Sequence, residues 1–111
     1  MLWDLKLFQR AYDFLLWIKP TVQRFAKVHK YSLGIQLENE TIAFLKEIIK
    51  ANFTREKREA IKECFVRFEM IKILIRLSKD YKLLSIKQYE FASKELEEIG
   101  NLLGGWHRKF S

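Results

Sequence analysis

Arg58, Lys62, Lys72, Arg76 and Lys79 recur with Glu69 at spacings of three, four and seven residues. On a helix these spacings place all six on one face. A row of permanent positive charges binds polyanions: each Lys or Arg that neutralises a phosphate releases condensed counterions, without reading any sequence. Glu69 can pair with Lys72 across one turn, but an exposed pair contributes only about 0.2–1 kcal/mol. Such pairing does not account for so many cations on one stripe. These five residues are therefore the candidate nucleic-acid-binding residues. Lys27, Lys30, Arg55, Lys57, Arg108 and Lys109 are lesser candidates, because they lie near helix ends, where positive charge is ordinary. Among the aromatics, Trp3, Tyr31, Phe53 and Phe110 also lie near ends and could stack on unpaired bases. Phe8, Phe44, Phe65, Phe68 and Trp106 read as core or interface.

Other chemistry finds little support. The two histidines, His29 and His107, stand near helix ends and far apart. No H-E-x-x-H, phosphate-cradling glycine loop or serine-elbow pattern occurs. Glu95, Glu97 and Glu98 form an acidic cluster without the E-x-x-H partner of a bundle di-iron site. They read as a solvated face. A zinc site needs more than one Cys and two remote His. Cys64 has no partner for an internal disulfide and sits among Ile61, Phe65 and Phe68, as a buried inert thiol would. The expectation is no enzyme, no metal, no cofactor and no small-molecule substrate.

The net charge of +7 is unevenly spread: residues 1–30 and 54–84 each carry +4, residues 31–53 carry −1, and residues 85–111 are neutral. A basic surface on the first and third segments would attract a polyanion. With 49% hydrophobic and 14% aromatic residues the chain can build a core, which argues against disorder. Its 111 residues suit one domain, 1–111. No apolar run reaches the roughly 18 residues of a membrane span. Asp4, Lys6 and Arg10 interrupt any signal-peptide core, so a cytoplasmic protein is expected.

Four glycines and one proline leave few breaks, which points to an all-α fold of four helices. The first is expected from about Trp3 to Phe25, with Leu5, Phe8, Tyr12, Leu15 and Val22 on one face and a kink at Pro20. A break at Lys19 is the alternative. The second runs from about Ser32 to Ala51, with one stripe of Ile35, Ile42, Leu45 and Ile49 and another of Leu37, Phe44 and Ile48. The third starts after Thr54, a plausible N-cap, and ends near Lys79. The fourth follows Ser85, which with Gln88 forms a capping box. Its apolar positions are Tyr89, Ala92, Leu96, Ile99, Leu103 and Trp106, and Gly104-Gly105 weakens it near its end. Gly100 and Gly104, four apart, could admit a close neighbour. Short connections make an up-down-up-down four-helix bundle.

In the third helix, Ile61, Phe65, Phe68, Ile71 and Ile75 can face the bundle. Val66, Met70, Ile73 and Leu77 then lie on another flank, which a lone monomer would leave wet. Large exposed apolar patches mark interfaces, so this flank predicts self-association.

The segment Leu84-Ser85-Ile86-Lys87-Gln88-Tyr89-Glu90-Phe91, running through Glu98-Ile99-Gly100 to Trp106, resembles the last helix of Avd-like four-helix-bundle proteins. Avd is the accessory variability determinant of diversity-generating retroelements. Leu7-Phe8-Gln9-Arg10-Ala11-Tyr12 is similar to the family's opening helix, and Met70 to Asp80 to its third. Lys30-Tyr31-Ser32-Leu33-Gly34 with Leu37 resembles the start of the second. There the chain departs: Lys27, Val28 and His29 stand where a proline is expected, and Tyr31 where an arginine is. The likeness extends to small bundles encoded in ribosomal-RNA intervening sequences. The resemblance implies a homopentameric barrel and a non-catalytic accessory role. Its implied partners are a reverse transcriptase and the template RNA or its hybrid with cDNA, in support of mutagenic cDNA synthesis. The alternative is a structural or protein-interaction bundle with no nucleic-acid role.

Overall fold

A computed structural model describes residues 2–110. Four long helices carry the chain: α1 (Lys6–Gln23), α2 (Ile35–Phe53), α3 (Lys57–Asp80) and α4 (Ile86–Lys109). No strand occurs among the described residues. A 3-10 turn at Leu2–Asp4 precedes α1. A helical turn at Lys27–His29 and a π-helical segment at Lys30–Gly34 lead directly into α2. Each helix packs on the next, and α4 closes back onto α1. With connections this short, successive helices run antiparallel. A 24-residue helix such as α3 is about 36 Å long. The bundle measures 43 × 23 × 21 Å, so the helices lie along its long axis. No helix among the described residues is long and apolar enough to cross a membrane.

The core stripes follow helical spacing, with corrections to which stripe turns inward. In α1 the buried line is Leu7, Ala11, Phe14, Ile18 and Val22, joined by Phe8. Tyr12, expected inside, is exposed, with its ring 5.3 Å from that of Trp3. Leu5 and Leu15 are only partly buried. α1 runs through Pro20 without a break. Proline leaves the Leu16 carbonyl without its intrahelical donor, and the Thr21 hydroxyl adds a bond to the next carbonyl, that of Trp17, at 2.7 Å. In α2 the second stripe is the core one: Leu37, Phe44 and Ile48 are buried with Thr41 and Leu45, whereas Ile35 and Ile42 are exposed.

The connections correct one further expectation. Thr54 does not open α3. It ends α2 in extended backbone, its hydroxyl donating to the Lys50 carbonyl at 2.5 Å, and Glu56 precedes α3 without a side-chain cap. Lys57 finishes the same corner: its Nζ donates to the carbonyls of Ala51, Asn52 and Thr54 at 2.9–3.0 Å. These satisfy carbonyls that the end of α2 leaves open. α3 ends in a Schellman turn, with Leu83 N–H on Ser78 O and Lys82 N–H on Lys79 O, both 2.8 Å. Lys82 takes the left-handed position, φ 61°. The capping box at α4 forms as expected: Ser85 Oγ accepts from Gln88 N–H at 3.1 Å, and Gln88 Oε1 accepts from Ser85 N–H at 2.9 Å. Gly104-Gly105 lies near the end of α4, which continues to Lys109.

Candidate nucleic-acid interface

α3 positions the charges. Its inward face buries Ile61, Cys64, Phe68, Ile71, Leu74 and Ile75, with Ser78. The Ser78 hydroxyl is satisfied by the Leu74 carbonyl at 2.8 Å. Phe65, expected to face the core, is only partly buried; its ring meets His107 of α4 edge-on at 5.7 Å. The core occupies about half of the helix circumference, and the remainder divides into two strips. One is apolar and points straight outward: Val66 is 62% exposed, Ile73 57%, Leu77 38% and Met70 37%. The other is basic and lies on the side facing α4.

The five candidate cations are not equivalent. Lys72 and Arg76 line a groove between α3 and α4. Lys79 joins them at one end, its Nζ 5.0 Å from the centre of the Tyr89 ring. Lys62 lies about 15 Å along the axis from Lys72, and Arg58 farther still. Three of the five already hold acidic neighbours on their own helix: Lys62 with Glu59 at 3.3 Å, Lys72 with Glu69 at 3.4 Å, and Arg76 with Asp80 at 3.4 Å. All three pairs are exposed, so each contributes little to stability and gives way readily to a phosphate. Arg67, also on α3, faces the other way and bridges to Glu40 of α2 at 3.1 Å. Among the lesser candidates, Lys57 is committed to backbone carbonyls and falls out of the set.

The groove has a volume of about 530 Å³. Phe68, Ile75 and Leu96 form its apolar floor, and Tyr89, Ser93, Glu97 and Asn101 its α4 wall. Gly100 keeps it open at the bottom: a Cβ there would stand 3.0 Å from Phe68 Cζ. The close approach expected of Gly100 is thus real. Gly104 meets only the flexible end of Arg108 and serves no such purpose. Lys72 Nζ lies 5.5 Å from the centre of the Phe68 ring, so one wall of the groove is cationic and its floor aromatic.

Sequence reading found the α3 side of this groove and missed the α4 side. Tyr89, Ser93, Glu97 and Asn101 are spaced by four, an edge strip beside the core stripe of Ala92, Leu96, Ile99 and Leu103. That spacing is visible in the sequence, but nothing there says which helix faces it. The acidic cluster also divides. Glu98 bridges to Arg10 of α1 at 2.8 Å, Glu97 faces the groove, and Glu95 is half-buried. No group of three or more His, Cys, Asp or Glu converges to hold a metal among the described residues. Of the aromatics near helix ends, Trp3, Tyr31, Phe53 and Phe110 are exposed but scattered away from the groove. His29 and Tyr31 frame the divergent start of α2; the His29 ring lies 5.3 Å from that of Tyr81, at the end of α3.

No curated protein and no solved structure matches the chain. A family model described as bAvd-like matches residues 5–110, nearly the whole length and all four helices. The chain belongs to the bAvd-like family.

Proposed function

From membership of this family, we propose that the protein is a non-catalytic, cytoplasmic accessory factor of a diversity-generating retroelement. It binds the element's reverse transcriptase and the template RNA or RNA/cDNA hybrid, and so supports mutagenic cDNA synthesis. The polymerase chemistry belongs to the transcriptase; this chain supplies electrostatic positioning. The observation that carries the reading is the basic strip of α3, where Lys72, Arg76 and Lys79 gather along one groove. Arg58 and Lys62 extend it toward the other end of the bundle.

The proposal includes a homopentamer. The outward strip Val66, Met70, Ile73 and Leu77 supports burial against another subunit. α1 stands diagonally across the bundle from α3 and exposes Tyr12 and Leu16, one turn apart. Two different apolar faces on opposite sides favour a head-to-tail contact over a two-fold dimer, and such a contact builds a ring where its rotation closes. A ring repeats the basic strip into a continuous positive track. The number five comes from the family and not from the geometry.

Affinity for a structured RNA measured across a salt series tests the reading. Wild type should bind at low salt and weaken steeply as salt rises. Lys72→Glu with Arg76→Glu should lower the slope by at least about 1.4, two contacts at roughly 0.7 each on single strands. An unchanged slope would remove the strip from the interface. The second reading, a protein-interaction bundle with no nucleic-acid role, draws on the local pairing of Lys62, Lys72 and Arg76. Wild type indifferent to RNA at low salt would favour it.

A further inference from the structure

The two walls of the α3–α4 groove differ in a way that a plain phosphate track does not require. The α3 wall carries Lys72 and Arg76. The α4 wall carries Ser93, Glu97 and Asn101, all exposed. Glu97 makes no ion pair among the described residues, although Arg76 lines the facing wall. A fatty-acid or peptide carboxylate lying along this groove would meet Glu97 as a like charge. A ligand with an anion on one side and a neutral hydrogen-bonding ring on the other matches both walls. Lys79 beyond Tyr89 continues the positive wall, as a strand with repeating phosphates needs. The volume of about 530 Å³ lies within the range of small-ligand sites.

We infer that this groove holds one unpaired nucleotide of a single strand, phosphate on Lys72 and Arg76 of one wall, base lying over Ser93 of the other and turned toward Glu97, one turn along α4. The inference rests on the polyanion-binding reading and adds base selection to it. An ionised carboxylate only accepts hydrogen bonds. It therefore favours a base with an exocyclic amino group, as cytosine offers at N4. Uracil has a carbonyl at that position, so two acceptors would face each other. Ser93 and Asn101 can donate or accept and tolerate either base. In a duplex the base edges are already paired, and only phosphates reach the rim.

The test compares oligo(C), oligo(U) and a blunt RNA duplex by fluorescence anisotropy at one fixed salt concentration. Wild type should prefer oligo(C) over oligo(U) by at least about fivefold. Glu97→Gln should erase that preference while tightening both, since a negative charge is removed. Ser93→Leu, at an exposed helical position, occludes the groove without offering a ring on which a base can stack. It should weaken single-strand binding about tenfold and leave duplex binding unchanged. Equal binding of oligo(C) and oligo(U) by wild type overturns the inference, as does an unaltered ratio in Glu97→Gln. Loss of duplex and single-strand binding together in Ser93→Leu also overturns it. In those cases the polyanion reading survives, whereas a protein that binds none of the three probes fails that reading as well.

Discussion

Cys64 is buried as a free thiol on the core face of α3. Burial, with a smaller push from the carboxylates of Glu47 and Glu63, raises its pKa from 9.0 to about 12. The folded value exceeds the unfolded one. The stability that comes from keeping this thiol neutral is therefore complete below about 9 and is lost as pH climbs toward about 12. Ellman's reagent should leave Cys64 untouched in the native protein and react fully in denaturant, and melting temperature should fall across that alkaline window. Two glycines of α4 make a contrasting pair. A Cβ at Gly100 would crowd Phe68, whose ring lies 5.9 Å from that of Phe44 and has little room to swing. Gly104 has only the Arg108 guanidinium near it, at 3.5 Å. Gly100→Ala should destabilise, because overpacking of about 1–3 kcal/mol outweighs the helix-propensity gain of about 1 kcal/mol. Gly104→Ala should instead stabilise by up to about 1 kcal/mol. Urea titration of the two variants reads both signs.

At the scale of elements, the corner between α3 and α4 sets the register of the groove. Ser85 and Gln88 fix where α4 starts, and Lys82 turns the chain in a left-handed conformation that a side chain disfavours. Ser85→Ala should cost about 1 kcal/mol. Lys82→Gly should be neutral or stabilising by up to about 1 kcal/mol, relief of the left-handed strain offsetting glycine's larger unfolded-state entropy. Thermal unfolding of each variant decides the matter. The capping box was legible because its chemistry is local: two side chains and two backbone amides within four residues. The existence of four helices was legible for the same reason, as was the wet flank of α3, since more apolar residues stood around that helix than one core can use. The α1 stripe was misread at Tyr12, while Phe8 and Val22 are buried as expected, because Tyr12 and Leu7 lie on different apolar lines and only packing chooses between them. Ile35 and Ile42 on α2 misled in the same way. Thr54 misled by type, as a hydroxyl near a helix boundary can close the preceding helix as readily as open the next. The α4 wall of the groove was invisible because it exists only once α3 and α4 lie side by side.

At the scale of the whole molecule, the outward faces of α1 and α3 point away from each other, and a head-to-tail ring makes a specific demand. Leu16→Asp should block one face and Ile73→Asp the other, each leaving a monomer. Mixed together, the two variants should form a dimer and stop there, because one intact face of each kind remains. A two-fold contact between identical faces would instead leave one of the two variants dimeric on its own, because that variant keeps the self-pairing face. Size-exclusion chromatography with light scattering distinguishes these results. The most direct measurement is sedimentation velocity of the wild-type protein, alone and with a structured RNA at low and high salt. The account predicts a ring near five times the 13.4 kDa chain mass that takes up RNA at low salt and releases it at high salt. A stable 13.4 kDa species that ignores RNA at low salt would contradict it.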